Sequence, residues 1–443
     1  MPRPYKTLAG LYNRKAAINC IATHNRSARF PRMEIFDVIV VGGGPAGMMA
    51  AGHAAEYGRR VLLVEKNRML GEKLNLTGGG RCNITNAEFD VRTFLSFFGN
   101  ASKFLFSPFS RFAVQETFDF FEERGLPLMV EDRKRAFPKT EQAGDVVRVL
   151  EEYMRGHDVD IRFGVEVKHL LVENGAVAGI ETNRGPFKAE SVVLATGGAS
   201  YKATGSTGDG FGWLREVGHT VLDATPDVVP LRVNEQWVKD LSGTTLGPMK
   251  ITFTAANGGQ VVKAGKILFT HFGLSGPLIL NSAHEVKALL KYGPVAASID
   301  LFPGLEIHEV DRRLLEVFDD NKNKMVRNTV KALAPAGMAR ALTALLPEEL
   351  LEKKVNVVTQ DERKTIVQVL KGLPLTVAGT MGYDWAVVCD GGIDLTEIDT
   401  RTMRSRLHPN LYVVGDLLHI SRPSGGYSLQ LCWTTGWVAG ENA

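Results

Sequence analysis

Apolar and polar residues alternate along the chain in patterns that change several times. Residues 36–41 (FDVIVV) and 60–65 (RVLLVE) are short, continuous apolar runs, which is the pattern of fully buried strands. Between them, residues 46–57 have the character of a helix that ends at Gly58. This β–turn–α–β order with short connections predicts a parallel sheet.

The pattern changes further along the chain. Residues 141–155 are predicted to be helical, with Thr140 as the N-cap. Residues 159–193 consist of short strand-like pieces separated by turns, which predicts a β-meander. Strand-like pieces alternate with Gly and Pro turns over residues 223–303, as is typical of a small β-barrel or sandwich, and residues 304–372 are helical and highly charged.

The end of the chain repeats the pattern of its beginning. Residues 373–389 return to strand-like sequence, and LYVVGD, from Leu411, leads through a Gly-rich turn into the apolar run from Tyr427 to Gly440. At 443 residues the chain is too long for one ordinary hydrophobic core. These features predict an α/β fold in which one domain, formed by the two ends of the chain, is split by an insertion.

Charge is unevenly distributed along the chain. Residues 1–33 hold seven basic residues and no acidic one; the seven are Arg3, Lys6, Arg14, Lys15, Arg26, Arg29 and Arg32. The formal net charge of +3 therefore conceals a body with 45 basic and 49 acidic residues, a net charge of −4. A mildly acidic body gives no support for a nucleic-acid partner.

The basic leader, residues 1–33, has three interpretations. It is a targeting peptide, a disordered tail, or translated upstream sequence with Met33 as the true start. The third is favoured because Met33 stands three residues before the first predicted strand. We expect the leader to lie outside the fold, so that a chain starting at Met33 folds and binds its cofactor as the whole chain does.

Hydropathy and the number of cysteines indicate in which cellular compartment the protein works. No apolar run approaches the roughly 18 residues of a membrane helix, so we expect a soluble protein without membrane partners. The four cysteines are scattered and form no C-x-x-C pair, which predicts neither a metal site nor a redox dithiol and favours the reducing cytoplasm. No Ser-His-Asp set is apparent either.

The first chemical motif is Gly42-x-Gly44-x-x-Gly47, which directly follows a predicted strand and opens a helix. In such a turn the first glycine allows the tight bend, the second lets the backbone approach a pyrophosphate, and the third lets helix and strand pack closely. Glu65 ends the next strand 18 residues after Gly47 and is suited to bind a ribose 2′-OH, which disfavours NADP here. The alternative is a Gly-rich turn in an unrelated α/β protein, against which the agreement of these features argues.

Two further strand ends point to the same chemistry. The strand SVVLATGG ends in Ala195, Thr196 and Gly197, small residues that let a bound dinucleotide lie close by; an ordinary strand end is the alternative. The strand LYVVGD ends in Gly415 and Asp416, which can direct a carboxylate at the ribityl chain of FAD; an Asp that caps the next turn is the alternative.

Together the three motifs resemble the glutathione-reductase-like class of FAD proteins. Longer strings make the resemblance closer; they are KLNLTGGGRCNITN (73–86), ATGSTGDG (203–210), LFTHFGLSGP (268–277), GGIDLTEID (391–399) and SGGYSLQ (424–430). They are similar to the bacterial flavoprotein family that includes aminoacetone-oxidase-like and bile-acid dehydro-reductase-like proteins. The resemblance covers about residues 34–440, and the TGGGRCN and THxGxSGP strings carry most of its specificity.

This resemblance implies an FAD-binding domain of Rossmann type, formed by residues 34–222 and 376–443. It also implies a β-barrel-like insert (223–303 and 366–375) and a small helical insert (304–365). Two motifs depart from the family pattern. Gly-Asp at 415–416 replaces the more frequent Gly-Glu, and Ser428 replaces an Asn, which leaves the substrate open.

The resemblance and the motifs together imply a set of FAD contacts: Gly42, Gly44, Pro45, Ala46, Gly47, Glu65, Lys66, Thr77, Gly79, Gly80, Arg81, Cys82, Asn83, Ala195, Thr196, Gly197, Gly415, Asp416, Gly425, Gly426, Tyr427 and Ser428. The catalytic candidates are Arg81, His271 and Tyr427. Arg81 would stabilise an anionic substrate or reduced flavin, with a structural salt bridge as the alternative. His271 would donate a proton, or it is a hydrogen-bonded polar residue at a domain junction. Tyr427 would face either the flavin or the hydrophobic core. Cys82 is interpreted as a packed thiol, with a redox thiol as the alternative.

The leading hypothesis is an FAD-dependent oxidoreductase that transfers a hydride between flavin N5 and a small organic or steroid-like substrate. NADH or NADPH is the expected transient donor. No second G-x-G-x-x-G follows a strand, since Gly205, Gly208 and Gly210 have the wrong spacing, so donor and substrate are expected to share one flavin face. The alternatives are a flavin-dependent RNA-modifying protein and a non-catalytic flavin-binding protein.

Overall fold

The computed structural model describes residues 34–335 and 337–443. The predictions made for residues 1–33, including Met33 as the start, lie outside the described residues. From Ile35 onward the chain forms one compact unit.

The largest sheet has seven strands. They are β1 (Ile35–Val41), β2 (Val61–Glu65), β6 (Asp160–Phe163), β7 (Val167–Glu173), β8 (Ala176–Thr182), β9 (Gly185–Leu194) and β18 (Leu411–Val413). The order is β6-β2-β1-β9-β8-β7, and β18 pairs with the last residues of β9. β6, β2, β1, β9 and β18 run parallel, whereas β8 and β7 continue the sheet antiparallel. The carboxyl ends of the parallel strands therefore meet at one edge, where ligands bind in sheets of this kind.

The following helices share one apolar core with this sheet. They are α1 (Pro45–Glu56), α2 (Val91–Ser96), α3 (Ser102–Phe109), α4 (Val114–Glu123), α5 (Ala143–Gly156), α6 (Asp209–Glu216) and α14 (Tyr427–Asn442). α1 and α14 approach each other through glycine, because a Cβ on Gly436 would lie 2.4 Å from the carbonyl oxygen of Ala46. A three-stranded sheet of β3 (Thr85–Asn86), β4 (Leu128–Glu131) and β5 (Arg135–Pro138) stands beside them.

The inserted strands close into a barrel, which decides between the barrel and sandwich expectations. Its strands are β11 (Leu231–Val233), β12 (Thr245–Thr254), β13 (Gln260–Thr270), β14 (Gly273–Ser275), β15 (Val295–Asp300) and β16 (Leu373–Thr380), in the order β11-β14-β13-β12-β15-β16. Ile251, Phe253 and Phe269 are fully buried in it. Helices α7 (Gln236–Asp240) and α8 (Pro277–Leu290) pack on the same core. The expected Rossmann-type fold with a barrel insert is confirmed.

The second insert is helical. Its helices are α9 (Ile307–Asp320), α10 (Val326–Thr329), α11 (Ala339–Leu345), α12 (Glu348–Leu351) and α13 (Gln360–Lys371). α13 runs past the expected boundary between residues 365 and 366. Thr359 caps its first turn by accepting from the Glu362 N–H, and Ile366, Val367 and Leu370 are buried along it. One apolar face thus continues as far as Gly372.

Two other boundaries differ from expectation. β10 (Val221–Asp227) crosses the position expected to end the nucleotide-binding segment at residue 222, and it pairs with β17 (Val388–Ile393) in an antiparallel ribbon outside the barrel. The prediction of Thr140 as a helix cap was wrong, because α5 begins at Ala143 behind Gln142. Glu141 has φ of 53°, a left-handed conformation that separates Thr140 from the helix.

Within the described part of the chain, every helix is too short or too polar to cross a membrane.

Candidate functional site

A cavity lies at the carboxyl ends of the parallel strands, and its volume of about 1250 Å³ includes space that is open to solvent. Many residues that were predicted to contact FAD line it: Gly42, Gly44, Pro45, Ala46, Glu65, Lys66, Thr77, Ala195, Thr196, Gly197, Gly415, Asp416 and Ser428. The three strand-end motifs, which are far apart in sequence, therefore meet at one site.

The glycine-rich turn between β1 and α1 shows a separate packing reason for each glycine. Gly42 has φ of 108°, and a Cβ there would lie 2.6 Å from the carbonyl oxygen of Ala195. A Cβ on Gly47 would lie 1.9 Å from the carbonyl oxygen of Gly42, so helix and turn touch. Around Gly44, by contrast, no atom lies within 4 Å of the Cβ position. Gly42 and Gly47 therefore pack directly against backbone atoms, whereas Gly44 faces the open cavity.

Glu65 binds the same turn from the end of β2. Its Oε2 accepts from the Gly43 N–H at 2.7 Å, and its Oε1 accepts from the Asn67 N–H at 2.8 Å. Each carboxylate oxygen keeps a further lone pair. Glu65 is thus held in place and can still accept from a ribose hydroxyl.

One polar atom at this site lacks a partner. The Thr196 hydroxyl is buried at the end of β9, lines the cavity and makes no hydrogen bond within the described part of the chain. A buried hydroxyl without a partner costs about 1–3 kcal/mol. The hydroxyl faces α6, because a Cβ on Gly210 would lie 2.3 Å from its oxygen. Glu65, the open Gly44 and the free N–H groups at the start of α1 fit the phosphate and ribose portion of a dinucleotide.

Asp416 marks the other part of the cavity and is held by Arg422. Arg422 is 3 % exposed, and its guanidinium donates to the Asp416 carboxylate, to Ser428 Oγ at 3.1 Å and to the Ile420 carbonyl oxygen at 2.7 Å. The pair fixes the carboxylate beside the start of α14. Sequence reasoning missed Arg422, which belongs to none of the motifs.

The TGGGRCN segment supports the beginning of α14 instead of lining the cavity beyond Thr77. With its amide oriented to satisfy its neighbours, Asn83 accepts from the Gly426 N–H at 3.0 Å. The next residue, Ile84, accepts from Trp433 Nε1 at 2.9 Å, and a Cβ on Gly426 would lie 2.2 Å from the Thr85 carbonyl carbon. Other predicted contacts that lie outside the cavity lining are Gly47, Gly79, Gly80, Arg81, Cys82, Gly425 and Tyr427.

The three catalytic candidates lie apart from the cavity lining. Arg81 binds Glu131 and Glu141, each with a shortest N–O distance of 2.7 Å, which corresponds to the salt-bridge interpretation. Tyr427 is 6 % exposed and its ring packs among phenylalanines, which are Phe94, Phe97 and Phe98. His271 is exposed on the turn between β13 and β14, next to Phe272. Their catalytic roles stay predictions.

Cys82 is a fully buried free thiol, and burial raises its pKa to about 12. Such a thiol is protonated at neutral pH and unreactive. We expect Cys82→Ser to accept two electrons per flavin, as the wild type does, in an anaerobic dithionite titration. A wild-type protein that consumed four electrons, against two in the variant, would show that Cys82 belongs to a redox dithiol.

The cavity also contains residues that the motifs did not single out. They include Asn67, Lys73, Leu74, Thr204, Ser206, Thr207, Asp209, Val387, Val388, Leu429 and Cys432. Lys66 donates to Thr207 Oγ1 at 2.6 Å and to Asp209 at 2.8 Å, which joins the end of β2 to the ATGSTGDG string. The ATGSTGDG string could therefore have predicted that Thr207 and Asp209 belong to the site. The KLNLTGGGRCN string could have predicted the same for Lys73.

A Ser–His–Glu arrangement, not visible in the sequence, forms away from the cavity. Ser405 Oγ lies 2.9 Å from His219 Nε2, and His219 Nδ1 lies 2.7 Å from Glu397 Oε2. Ser405 is 2 % exposed and its oxygen already accepts from the N–H groups of Leu407 and His408. Burial lowers the pKa of His219, so a neutral ring bridges serine and carboxylate. The arrangement fastens a loop and has no access for a substrate. No cluster of three or more metal-ligand side chains occurs among residues 34–335 and 337–443.

Comparisons with known proteins agree with this geometry. The model of the HI0933-like protein Rossmann domain matches residues 36–442. A "3-dehydro-bile acid delta(4,6)-reductase" of Clostridium scindens is 30% identical over 421 residues, which are 91% of this chain and 98% of that protein. A "Ribosomal RNA dihydrouridine synthase" of Escherichia coli K12 is 29% identical over 412 residues, 93% and 98% of the two chains. Among solved structures, the 3-ketosteroid-delta4-(5alpha)-dehydrogenase of Rhodococcus jostii RHA1 superposes with a TM-score of 0.50 at 16% identity, over 94% of this chain and 98% of that one, which supports the fold alone.

Proposed function

We propose that this chain, which belongs to the HI0933-like family of FAD-dependent oxidoreductases, reduces a carbon–carbon double bond conjugated to a carbonyl in a steroid-like substrate. The observation that carries the proposal is the match to the bile-acid reductase over 98% of that protein's length. We further propose NADH or NADPH as the electron donor.

In this proposal the open Gly44 and the start of α1 receive the FAD pyrophosphate, and Glu65 accepts a hydrogen bond from a ribose hydroxyl of the ADP half. Asp416, held by Arg422, binds the ribityl chain. Ser428 and Leu429, in the first turn of α14, face the cavity and present a helix N-terminus to it. Such a terminus stabilises a nearby anion by about 0.3–2 kcal/mol. Bound FAD supplies hydride transfer at its N5 atom; the chain positions it and the substrate.

The proposal is tested in two steps with the purified holoprotein. Anaerobic titration with NADH and with NADPH, followed by flavin absorbance, identifies the donor. The reduced protein is then mixed with 3-oxo-Δ4 and 3-oxo-Δ4,6 steroids. We expect stoichiometric reoxidation of the flavin and a product two mass units heavier. A flavin that nicotinamides reduce, but that no conjugated ketone reoxidises faster than buffer alone does, would contradict the substrate assignment.

A kinetic prediction follows from the lack of a second dinucleotide motif. If nicotinamide and substrate use one flavin face in turn, initial rates should follow ping-pong kinetics, with parallel lines in double-reciprocal plots. Each ligand should also inhibit competitively against the other. Steady-state rates over a matrix of both concentrations check this. Intersecting lines, together with a ternary complex of nicotinamide and substrate in equilibrium dialysis, would refute a shared face.

A second candidate is reduction of uridine in ribosomal RNA, which the relative from Escherichia coli favours. The net charge of −4 over residues 34–443 argues against a large RNA interface, since phosphate contacts are made mostly by Lys and Arg. The same reduced protein separates the two candidates. Reoxidation by unmodified ribosomal RNA with formation of dihydrouridine, and none by steroids, would establish the RNA substrate.

A further inference from the structure

Lys73 lies in the cavity on a segment that is fastened to the glycine-rich turn. The Gly71 N–H donates to the Gly43 carbonyl oxygen at 2.9 Å, two residues before Lys73. A Cβ on Gly43 would lie 2.5 Å from the Leu70 side chain, so turn and segment are packed against each other. The backbone before Lys73 thus lies beside the glycine-rich turn.

The ammonium of Lys73 lies near Asp416. Gly415, the residue before Asp416, packs against the first turn of α1, where a Cβ on Gly415 would lie 3.2 Å from the Ala46 Cβ.

The charges around Lys73 leave its ammonium without a bonded carboxylate. Asp416 attracts it but is already paired with Arg422, and Lys66, the other lysine in the lining, is paired with Asp209. Within the described residues, the hydrogen bond of Lys73 Nζ is the one to Ser200 Oγ at 3.3 Å. The neighbouring thiols of Cys389 and Cys432 are neutral, because burial raises their pKa.

Burial lowers the pKa of Lys73, although the residue is only partly buried and still faces the open cavity. A ligand that fills the cavity would remove the remaining contact of the ammonium with water. For an unpaired charge this costs several kcal/mol, unless the ligand brings an anionic group that compensates it.

We propose that Lys73 is the cation that neutralises the pyrophosphate of FAD. The pyrophosphate carries its negative charge in every redox state of the cofactor, whereas the oxidised ring is neutral. The start of α1 offers the equivalent of only about half a positive charge. Lys73 thus completes a site that the glycine-rich turn begins. This assignment depends on FAD binding and is independent of the substrate and the electron donor.

Under this assignment, the charge of Lys73 destabilises the folded protein without cofactor and stabilises the complex with FAD. Lys73→Met, close in length but uncharged, should unfold at a higher temperature than the wild type when both are free of FAD. The same variant should bind FAD at least tenfold more weakly, as when one partner of a buried charged pair is truncated. Its affinity should also depend less on salt.

The experiment is titration of apo-protein with FAD and with ADP-ribose, which carries the pyrophosphate without the ring, at several salt concentrations. Lys73→Met should lose affinity for both ligands, whereas Lys73→Arg, which keeps the charge, should retain most of it. Lys250→Met removes a charge from the exposed side of barrel strand β12 and should bind both ligands as the wild type does.

Two results would overturn the assignment. One is an FAD affinity of Lys73→Met within twofold of the wild type. The other is weakened FAD binding with unchanged ADP-ribose binding and a lowered flavin midpoint potential, which would place the ammonium beside the ring. If Lys73→Met does not fold, the affinities of Lys73→Gln and Lys73→Arg for FAD and ADP-ribose give the same comparison between an uncharged and a charged side chain.

Discussion

Replacing Gly44 with valine is expected to give a folded protein that purifies without FAD. No protein atom lies within 4 Å of the Cβ position of Gly44, so the new side chain meets only the cavity. It would occupy the space through which a pyrophosphate approaches the backbone. The ratio of flavin absorbance to protein absorbance after purification, together with the unfolding temperature without cofactor, checks both parts.

Two other glycines serve as matched controls for Gly44→Val. Gly156 also has no atom within 4 Å of its Cβ position and lies at the exposed end of α5, so Gly156→Val should keep full flavin occupancy. Gly47→Ala should instead impair folding, because its Cβ would lie 1.9 Å from the Gly42 carbonyl oxygen. Full flavin occupancy in Gly44→Val would show that the open side of the turn is not where the cofactor binds.

Replacing Arg422 with methionine should strongly destabilise the folded protein. Arg422 is 3 % exposed, and its loss leaves the Asp416 carboxylate without its ion-pair partner beside a buried helix start. Breaking a buried pair in this way costs about 3–5 kcal/mol. The ammonium of Lys73 also attracts the Asp416 carboxylate, so we expect a loss of about 3 kcal/mol in the free energy of unfolding. Urea unfolding of the apo-proteins measures the difference in free energy.

A double-mutant cycle separates the ion pair from general disruption. If Arg422→Met destabilises the protein because the Asp416 carboxylate loses its partner, then adding Asp416→Asn should restore part of the lost free energy of unfolding. Both single variants should also hold FAD less tightly than the wild type. Additive losses in the double variant would mean that Arg422 acts through its bonds to Ile420 and Ser428 instead.

The parts of the site that sequence could predict are those in which one local pattern carries the chemistry. The G-x-G-x-x-G turn, Glu65 at the end of the next strand and the small residues after Leu194 each follow a buried apolar run. Because parallel strands end at one edge of the sheet, three such patterns predict one site without any knowledge of contacts. The same reasoning predicted the Rossmann-type fold. Apolar alternation with Gly and Pro turns predicted a barrel or a sandwich, and the family resemblance favoured the barrel that the structure shows.

The parts that could not be predicted depend on contacts between distant segments. Arg422 follows no recognisable pattern, and its role arises only because Asp416 and Ser428 come together around it. The TGGGRCN string is specific in sequence, yet sequence does not say which side of the segment faces the cavity. The structure shows that Asn83, Ile84 and Thr85 contact the start of α14. Much of what the string specifies is therefore helix placement.

The pairing of β18 with β9 has a consequence for how the protein is made. β9 ends at Leu194, whereas β18 begins at Leu411 and α14 follows it, so the barrel and the helical insert are translated in between. Domains generally fold as they leave the ribosome, the N-terminal parts first. The barrel can close while the nucleotide-binding sheet still lacks β18 and α1 still lacks its partner helix. Cofactor capture is then among the last events of synthesis, and until that point the end of β9, residues 192–194, has one unpaired edge.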